Sequence, residues 1–119
     1  MATKNPKQIL DEFLGGLNEF GAKAPQQTKA FMNLLDACYK EGALSTKTKE
    51  LISVAIGAYN RCEYCIVFHV YKALEAGATP EEIIEAAMVA VAFGGGPSMA
   101  YTVSLVKDSI DAFAPQFKK

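Results

Sequence analysis

The stretch AGATPEEIIEAAMVAVAFGGGP, residues 76–97, contains the start and stop signals of one helix. Gly77 ends the preceding helix, and the tetrapeptide Thr79–Glu82 is a capping box with proline at the first helical position. An apolar-rich run then reaches Phe93, where three glycines and a proline break it. The stretch therefore predicts a helix that begins at the capping box and ends at Phe93.

The rest of the chain is punctuated in the same way and lacks the alternating pattern of β-strands. Five further helices are predicted: Pro6 to Phe20, Pro25 to Gly42, one capped by Ser45 with an apolar body from Leu51 to Tyr59, one from Arg61 or Cys62 to Gly77, and one after Pro97 that carries Met99, Val103, Leu105 and Val106. The tail, Pro115 to Lys119, is expected to fray, and Cys38 is expected in the core. We therefore predict one all-α domain over residues 1–119, a helical bundle of about six helices.

The composition limits the classes of partner. Hydrophobic residues make up 50% of the 119 residues and charged residues only 21%, with a net charge of −1. A small domain so poor in charge is expected to bury apolar faces between subunits, which predicts a homo-oligomer. The near-neutral charge argues against nucleic acid, and charges interrupt every apolar run before the roughly 20 residues that a membrane span needs. Because the first residues lack the apolar core of a secretory signal, a cytoplasmic location is expected.

The segment RCEYCIVFHV, residues 61–70, brings two cysteines and the chain's one histidine together. On a helix with 100° per residue, Cys65 lies about 60° and His69 about 20° from Cys62, so the three side chains share one stripe. Their neighbours are apolar, which predicts that the stripe lies against the core. A local proton acceptor then has to replace bulk water.

Three interpretations of this stripe are compatible with the residues. In the first, the cysteines are small core residues, and the histidine is a core side chain whose ring nitrogens have hydrogen-bond partners. The second is a zinc site, although three ligands fall short of the usual four and only Cys38 or a carboxylate could complete the set. The third is a redox-active dithiol, whose thiolate is favoured by a helix N-terminus and an adjacent imidazole. We favour the third because it uses every polar residue of the stripe.

Glu50 is a candidate partner for the histidine. It lies ten residues before the Asn60–Arg61 turn, and His69 lies eight residues after it, which corresponds to about 15 Å and about 12 Å of helix. Antiparallel helices would bring the two side chains level, and activated nucleophiles usually have a third group behind the base. The alternative is a solvent-exposed acid that pairs with Lys47 or Lys49.

The order and spacing of these four residues resemble the alkyl hydroperoxidase D-like branch of the carboxymuconolactone decarboxylase family. The segments Tyr59–His69 and Ala92–Pro97 are also similar to that family, and the resemblance covers roughly residues 29–105. It implies an all-helical subunit that assembles into trimers or hexamers and has peroxidase and disulfide-reductase activity.

The resemblance also implies roles for the residues. Cys65 would attack the hydroperoxide, Cys62 would close a redox-active disulfide with it, and His69 and Glu50 would relay the proton. A dithiol protein or small-molecule reductant would be the partner, and no metal or other cofactor is implied. The helix dipole alone favours Cys62 as the more acidic thiol, but the contact between positions i and i+4 gives Cys65 the base, so we assign the attack to Cys65. The alternatives are a lactone decarboxylase and a redox-sensing subunit without turnover.

Overall fold

A computed structural model describes residues 4–118, and within this range the chain is helical and contains no β-strand. The elements are α1 (Pro6–Lys23), α2 (Pro25–Tyr39), α3 (Thr46–Asn60), α4 (Glu63–Glu75), α5 (Pro80–Gly94), α6 (Gly96–Tyr101), a π-helical segment (Thr102–Val106) and α7 (Lys107–Phe117). The last three form one continuous helical rod, so the predicted all-α bundle of about six helices is confirmed.

Local capping explains why the helices begin where they do. The Thr79 side chain accepts a hydrogen bond from the backbone N–H of Glu82, whose carboxylate accepts one from the Thr79 backbone. Asn5 and Gln8 form the same reciprocal box at α1, and Ser45 caps α3 through the N–H of Thr48. Such boxes satisfy donors that the first turn leaves without partners.

Several predicted boundaries differ from the structure. Helix α1 continues to Lys23 rather than ending at Phe20, and α4 ends at Glu75 rather than Gly77. Helix α2 ends at Tyr39 rather than Gly42, because the Thr46 hydroxyl donates a hydrogen bond to the Tyr39 carbonyl at 2.7 Å and the backbone of Lys40 is extended. Helix α4 begins at Glu63, with Cys62 as its N-cap, because Arg61 adopts a left-handed conformation (φ +56°) that ends α3.

The predicted fraying of the tail is also wrong as far as residue 117, because α7 continues through Pro115 to Phe117. The ring of Phe117 packs edge-on against Tyr71 of α4, with centroids 5.2 Å apart. This contact anchors the end of the helix. Lys119 lies outside the described residues.

The core is built around α4, which packs against α1, α3 and α7, while α3 also packs against α5. Its fully buried side chains include Val54, Ile66, Val67, Val70, Ile83, Val106 and Phe113. Burial of each such side chain contributes about 1.5–3 kcal/mol, so α4 and its neighbours hold the site in place. No helix within residues 4–118 has both the length and the apolar character needed to cross a bilayer.

Helix α2 contributes no buried residue to this core. Cys38, which the sequence predicts in the core, is exposed. It follows Leu34 by one turn on a face that is also exposed, whereas Leu35 and Tyr39 line a cavity beneath the helix. The apolar residues of α2 therefore line a cavity or are exposed at the protein surface, and none of them is buried in the core.

Candidate active site

The two cysteines of the stripe lie at the start of α4. Cys62 is the N-cap residue, and its sulfur accepts a hydrogen bond from the backbone N–H of Cys65 at 3.2 Å. The two sulfurs are joined in a disulfide, with Cα atoms 5.2 Å apart. In the reduced protein, the same N-terminal amide would favour a thiolate at Cys62.

His69 and Glu50 form a hydrogen-bonded pair between α4 and α3. His69 Nδ1 lies 2.7 Å from Glu50 Oε1, and the Glu50 side chain is only 4% exposed. The alternative of a solvent-exposed Glu50 is therefore wrong. The register inferred from the helical rise across the Asn60–Arg61 turn holds in the folded chain.

This pair determines how the imidazole can act. An ionised carboxylate only accepts hydrogen bonds, so the network assigns the proton to Nδ1, and Nδ1–H donates to Glu50. Nε2 is then left with a lone pair, which can accept a proton from a neighbouring acid. The His69 side chain is 17% exposed, so it is shielded from bulk water without being sealed.

The close approach of α3 to α4 depends on Gly57. A Cβ at this buried position would lie 3.2 Å from both the Cβ of Cys65 and the backbone nitrogen of Ile66. These contacts are tighter than ordinary van der Waals separations. Glycine therefore allows α3 to pass directly behind the disulfide.

A cavity of about 550 Å³ opens over this part of α4. Cys65, His69 and Glu50 all line it, whereas Cys62 is not among the described residues that do. Its walls are mainly apolar, and Asp36, Lys40 and Lys72 are the other charged lining residues; the apolar part comprises Phe13, Phe31, Met32, Leu35 and Phe68. A small, largely apolar molecule in this cavity can thus reach Cys65, whereas Cys62 does not line the cavity.

Tyr39 and Ser53 also belong to the site, although neither is among the residues predicted from the sequence. The ring of Tyr39 stacks on the His69 imidazole, with centroids 5.7 Å apart and planes 18° from parallel. Its hydroxyl hydrogen-bonds Ser53 of α3. The helical periodicity of α2 could have indicated Tyr39. Phe31, Leu35 and Tyr39 are spaced at i, i+4 and i+8, so they lie on one face of the helix, and all three line the cavity.

Tyr64, between the two cysteines, connects the site to α1. Its hydroxyl donates a hydrogen bond to the Glu12 carboxylate, which also accepts one from Lys4. The bond to Glu12 raises the pKa of Tyr64. The bonds from Lys4 and then from Tyr64 hold the pKa of Glu12 below its usual value.

The other two interpretations of the stripe can be compared with this geometry. Cys65 and His69 are partly exposed and face a cavity, which differs from side chains enclosed in a core. Within residues 4–118, no three His, Cys, Asp or Glu side chains are grouped so that they could hold a metal ion.

Comparison with known proteins gives a consistent assignment. The profile of the carboxymuconolactone decarboxylase family matches residues 25–108. An uncharacterised protein of Cupriavidus necator is 32% identical over 99 residues, which span 83% of this chain and 88% of the relative. An uncharacterised protein of the cox locus of Paracoccus denitrificans is 39% identical over 84 residues, or 69% of this chain and 76% of that protein.

Two solved structures share the fold. The apo crystal structure of a carboxymuconolactone decarboxylase family protein from Legionella pneumophila superposes with a TM-score of 0.87 at 34% identity, covering 92% of this chain and 96% of that one. A family protein from Thermotoga maritima, for which involvement in antioxidative response has been suggested, gives a TM-score of 0.72 at 30% identity, covering 92% and 98%.

Proposed function

The chain belongs to the carboxymuconolactone decarboxylase family as an alkyl hydroperoxidase D-like member, and we propose that it is a thiol-dependent peroxidase. In this proposal Cys65 is the thiol that attacks a hydroperoxide, and Cys62 is the resolving thiol. His69 removes the proton from Cys65, and Glu50 holds and stabilises the imidazole. The disulfide of the two cysteines is the redox group.

One observation carries the proposal: Cys65 opens on the same cavity as a histidine whose Nδ1 is hydrogen-bonded to a buried glutamate. Because Cys65 and His69 are one turn apart on α4, their Cβ atoms are about 5–6 Å apart. This places the base within reach of the thiol, directly or through one water. The position of Cys65 on the cavity supports it as the attacking thiol, despite the amide that favours a thiolate at Cys62.

The chemistry proceeds in two steps, the oxidation of Cys65 by the hydroperoxide and the condensation of the oxidised sulfur with Cys62. His69 Nε2 takes the proton of Cys65, and the thiolate attacks the terminal oxygen of the hydroperoxide. The O–O bond breaks, the alcohol leaves with the proton from His69, and Cys65 becomes a sulfenic acid. The Cys62 sulfur then attacks the Cys65 sulfur, an S–S bond forms, and the hydroxyl group leaves as water after taking up the Cys62 proton.

A dithiol closes the cycle. One of its sulfurs attacks the disulfide to form a mixed disulfide, and the second releases the protein as two thiols while the reductant becomes a disulfide. A reducing compartment such as the cytoplasm supplies dithiols of this kind and fits the proposal.

The decisive experiment follows peroxide consumption by the reduced protein with an excess of a small dithiol. Cys65→Ser should abolish turnover. Cys62→Ser, reduced and then freed of dithiol before peroxide is added, should be left with a sulfenic or over-oxidised Cys65 that intact mass detects. Cys38→Ser, an exposed cysteine away from the cavity, is the matched control and should keep the full rate. A normal rate of peroxide consumption by the Cys65→Ser protein would contradict the mechanism.

The same assay separates the alternatives. A redox sensor would consume one equivalent of peroxide and stop, even with the dithiol in excess. A lactone decarboxylase would leave peroxide untouched and act on a lactone acid without any requirement for Cys65. Either result would contradict the peroxidase assignment.

A further inference from the structure

The imidazole of His69 has contacts on three sides. Glu50 meets it in the ring plane at Nδ1, at 2.7 Å. The Tyr39 ring lies against one face, 5.7 Å away between centroids and 18° from parallel, while Phe68 contacts it edge-on at 5.1 Å and 76°. The hydrogen bond fixes one atom of the imidazole, and the two aromatic rings restrict the orientation of its plane.

Tyr39 is itself fixed by α3 at two points. Ser53 is buried and donates its hydroxyl proton to the Lys49 carbonyl at 2.9 Å. Its oxygen is therefore free to accept the bond from the Tyr39 hydroxyl. The Thr46 hydroxyl donates to the Tyr39 carbonyl at 2.7 Å, which holds the backbone of the same residue.

These polar contacts matter because α2 packs mainly against α1 and only weakly against α3. It buries no residue of its own and has few contacts with α3. Besides the bonds to Ser53 and Thr46, the bonds from Lys49 Nζ to the Lys40 carbonyl and from the Thr46 N–H to Glu41 hold the connection between α2 and α3. The placement of the Tyr39 ring is thus set by hydrogen bonds rather than by core packing.

We propose that Tyr39, anchored by Ser53, is a positioning residue for His69. A single hydrogen bond at Nδ1 leaves the imidazole able to swing, because the torsion between Cβ and the ring is broad. The stacked tyrosine restricts this motion and keeps Nε2 facing the cavity that Cys65 lines. The consequence for proton removal from Cys65 rests on the proposed function, whereas the ring position can be measured without it.

The first test observes the ring directly by nitrogen-15 correlation spectroscopy of the imidazole in the disulfide form. The chain has one histidine, so the signal needs no assignment. We expect the wild type to have a dominant Nδ1–H tautomer and ring protons shifted upfield by the stacked tyrosine. Tyr39→Ala should lose the upfield shift and mix the tautomers, while Tyr39→Phe and Ser53→Ala should give intermediate spectra.

The second test measures the consequence for the thiol. In the reduced protein, alkylation of Cys65 by iodoacetamide is followed across pH by peptide mass. Since small misplacements of a catalytic group can cost up to about 100-fold, we expect Tyr39→Ala to slow alkylation by about tenfold near neutral pH. Tyr39→Phe should recover part of the rate. The charged groups around the cavity, Asp36, Lys40, Glu50 and Lys72, are unchanged in every variant.

The chain provides matched controls. Ser104 makes the same hydroxyl-to-carbonyl bond, to Ala100 at 2.6 Å, but is exposed on another helix, so Ser104→Ala should match the wild type. Tyr71 packs its ring against Phe113 and Phe117, and Tyr71→Phe likewise removes only a remote hydroxyl. Circular dichroism on each variant separates a local effect from loss of fold.

The possible outcomes are distinguishable. An imidazole spectrum unchanged in Tyr39→Ala overturns the positioning role. A changed spectrum combined with an unchanged alkylation profile overturns the predicted effect on Cys65, because the ring then moves without changing the reactivity of the thiol. Absence of peroxide turnover in the wild type would contradict the proposed function instead, and the imidazole spectrum would still decide whether Tyr39 positions the ring.

Discussion

At the scale of single residues, the charge of Glu50 distinguishes His69, as a candidate general base, from a histidine without a carboxylate partner. Glu50 is the one charged side chain that is buried among residues 4–118. Burial of a carboxylate is costly unless it is paired, and here its partner is the imidazole. The pair makes sense if the imidazole carries a positive charge during part of a reaction cycle, since the carboxylate then stabilises that state.

Glu50→Gln should therefore preserve the shape of the site and slow the reaction with hydroperoxide. The amide can still contact Nδ1, but it cannot stabilise the protonated imidazole. General-base catalysis contributes about 10²–10⁴-fold, so we expect kcat/KM for a hydroperoxide to fall by about 10- to 100-fold. Glu85→Gln, an exposed acid of α5, is the control. An unchanged rate in Glu50→Gln would exclude Glu50 from the relay.

Gly57 gives a second prediction at this scale. Glycine to alanine inside a helix normally stabilises by about 1 kcal/mol, but the added Cβ at position 57 would lie 3.2 Å from the Cβ of Cys65. Because overpacking costs about 1–3 kcal/mol and the helix gain offsets about 1 kcal/mol of it, we expect Gly57→Ala to lower the free energy of unfolding by up to about 2 kcal/mol.

Chemical denaturation with the disulfide intact measures this effect. Gly16→Ala is the matched control, because it also lies in a helix but has open space around its Cβ position. We expect that variant to gain up to about 1 kcal/mol. Stabilisation of both variants would contradict the proposed crowding of α3 against the cysteines.

At the scale of elements, the sequence predicted what is set by local chemistry. The capping box at Thr79 and the glycines after Phe93 delimit α5 to within one residue of its observed end at Gly94. The register between Glu50 and His69 could also be predicted, because a tight turn and a fixed helical rise determine it.

What the sequence could not predict depends on contacts between distant elements. The last turn of α2 is set by the Thr46 hydroxyl and by Ser53, and neither signal is visible within α2. The end of α7 depends on the Phe117 contact with Tyr71. The apolar stripe of α2 predicts a buried Cys38, but such a stripe does not show which surface it faces, and the residue is exposed.

The link between α1 and the cysteine segment makes an element-scale prediction. Glu12 accepts hydrogen bonds from Lys4 and from Tyr64, and these lower its pKa. A group with a lowered folded pKa stabilises the fold above its unfolded pKa, about 4.3 for glutamate, and loses that contribution as the pH falls through the folded value. The pKa of Tyr64 is raised in the folded chain, so the contribution of its hydrogen bond to stability is lost only when the pH rises far enough to ionise the tyrosine.

Glu12→Gln should therefore lower the thermal unfolding midpoint at pH 7. The difference from the wild type should shrink as the pH is lowered below about 4, where the wild-type carboxyl is itself protonated. Glu19→Gln, another exposed acid of α1, should show a smaller difference. A Glu12→Gln difference that stays constant down to pH 3 would contradict the role of the ionised carboxylate.

At the scale of the whole molecule, the isolated chain leaves large apolar side chains at its surface. Helices α3 and α5 pack against each other, and both carry such residues on their outer sides; they are Ile52, Ile56, Tyr59, Ile84, Met88, Val89 and Phe93. Phe93 is the most exposed of them, at 81%. Apolar surface of this kind is typical of an interface, and we expect copies of this chain to cover it in a trimer or hexamer.

Phe93→Lys tests this expectation, because a lysine at a subunit contact would be buried without a partner and should dissociate the assembly. Light scattering after size-exclusion chromatography should give a mass several times 12.8 kDa for the wild type and a smaller mass for the variant. Phe20→Lys is the matched control, since Phe20 is also exposed, at 58%, but lies on α1. A monomeric wild type, or a variant of unchanged mass, would contradict an interface at Phe93. Peroxide turnover measured on the same samples then shows whether the cavity under α2 functions in a single subunit.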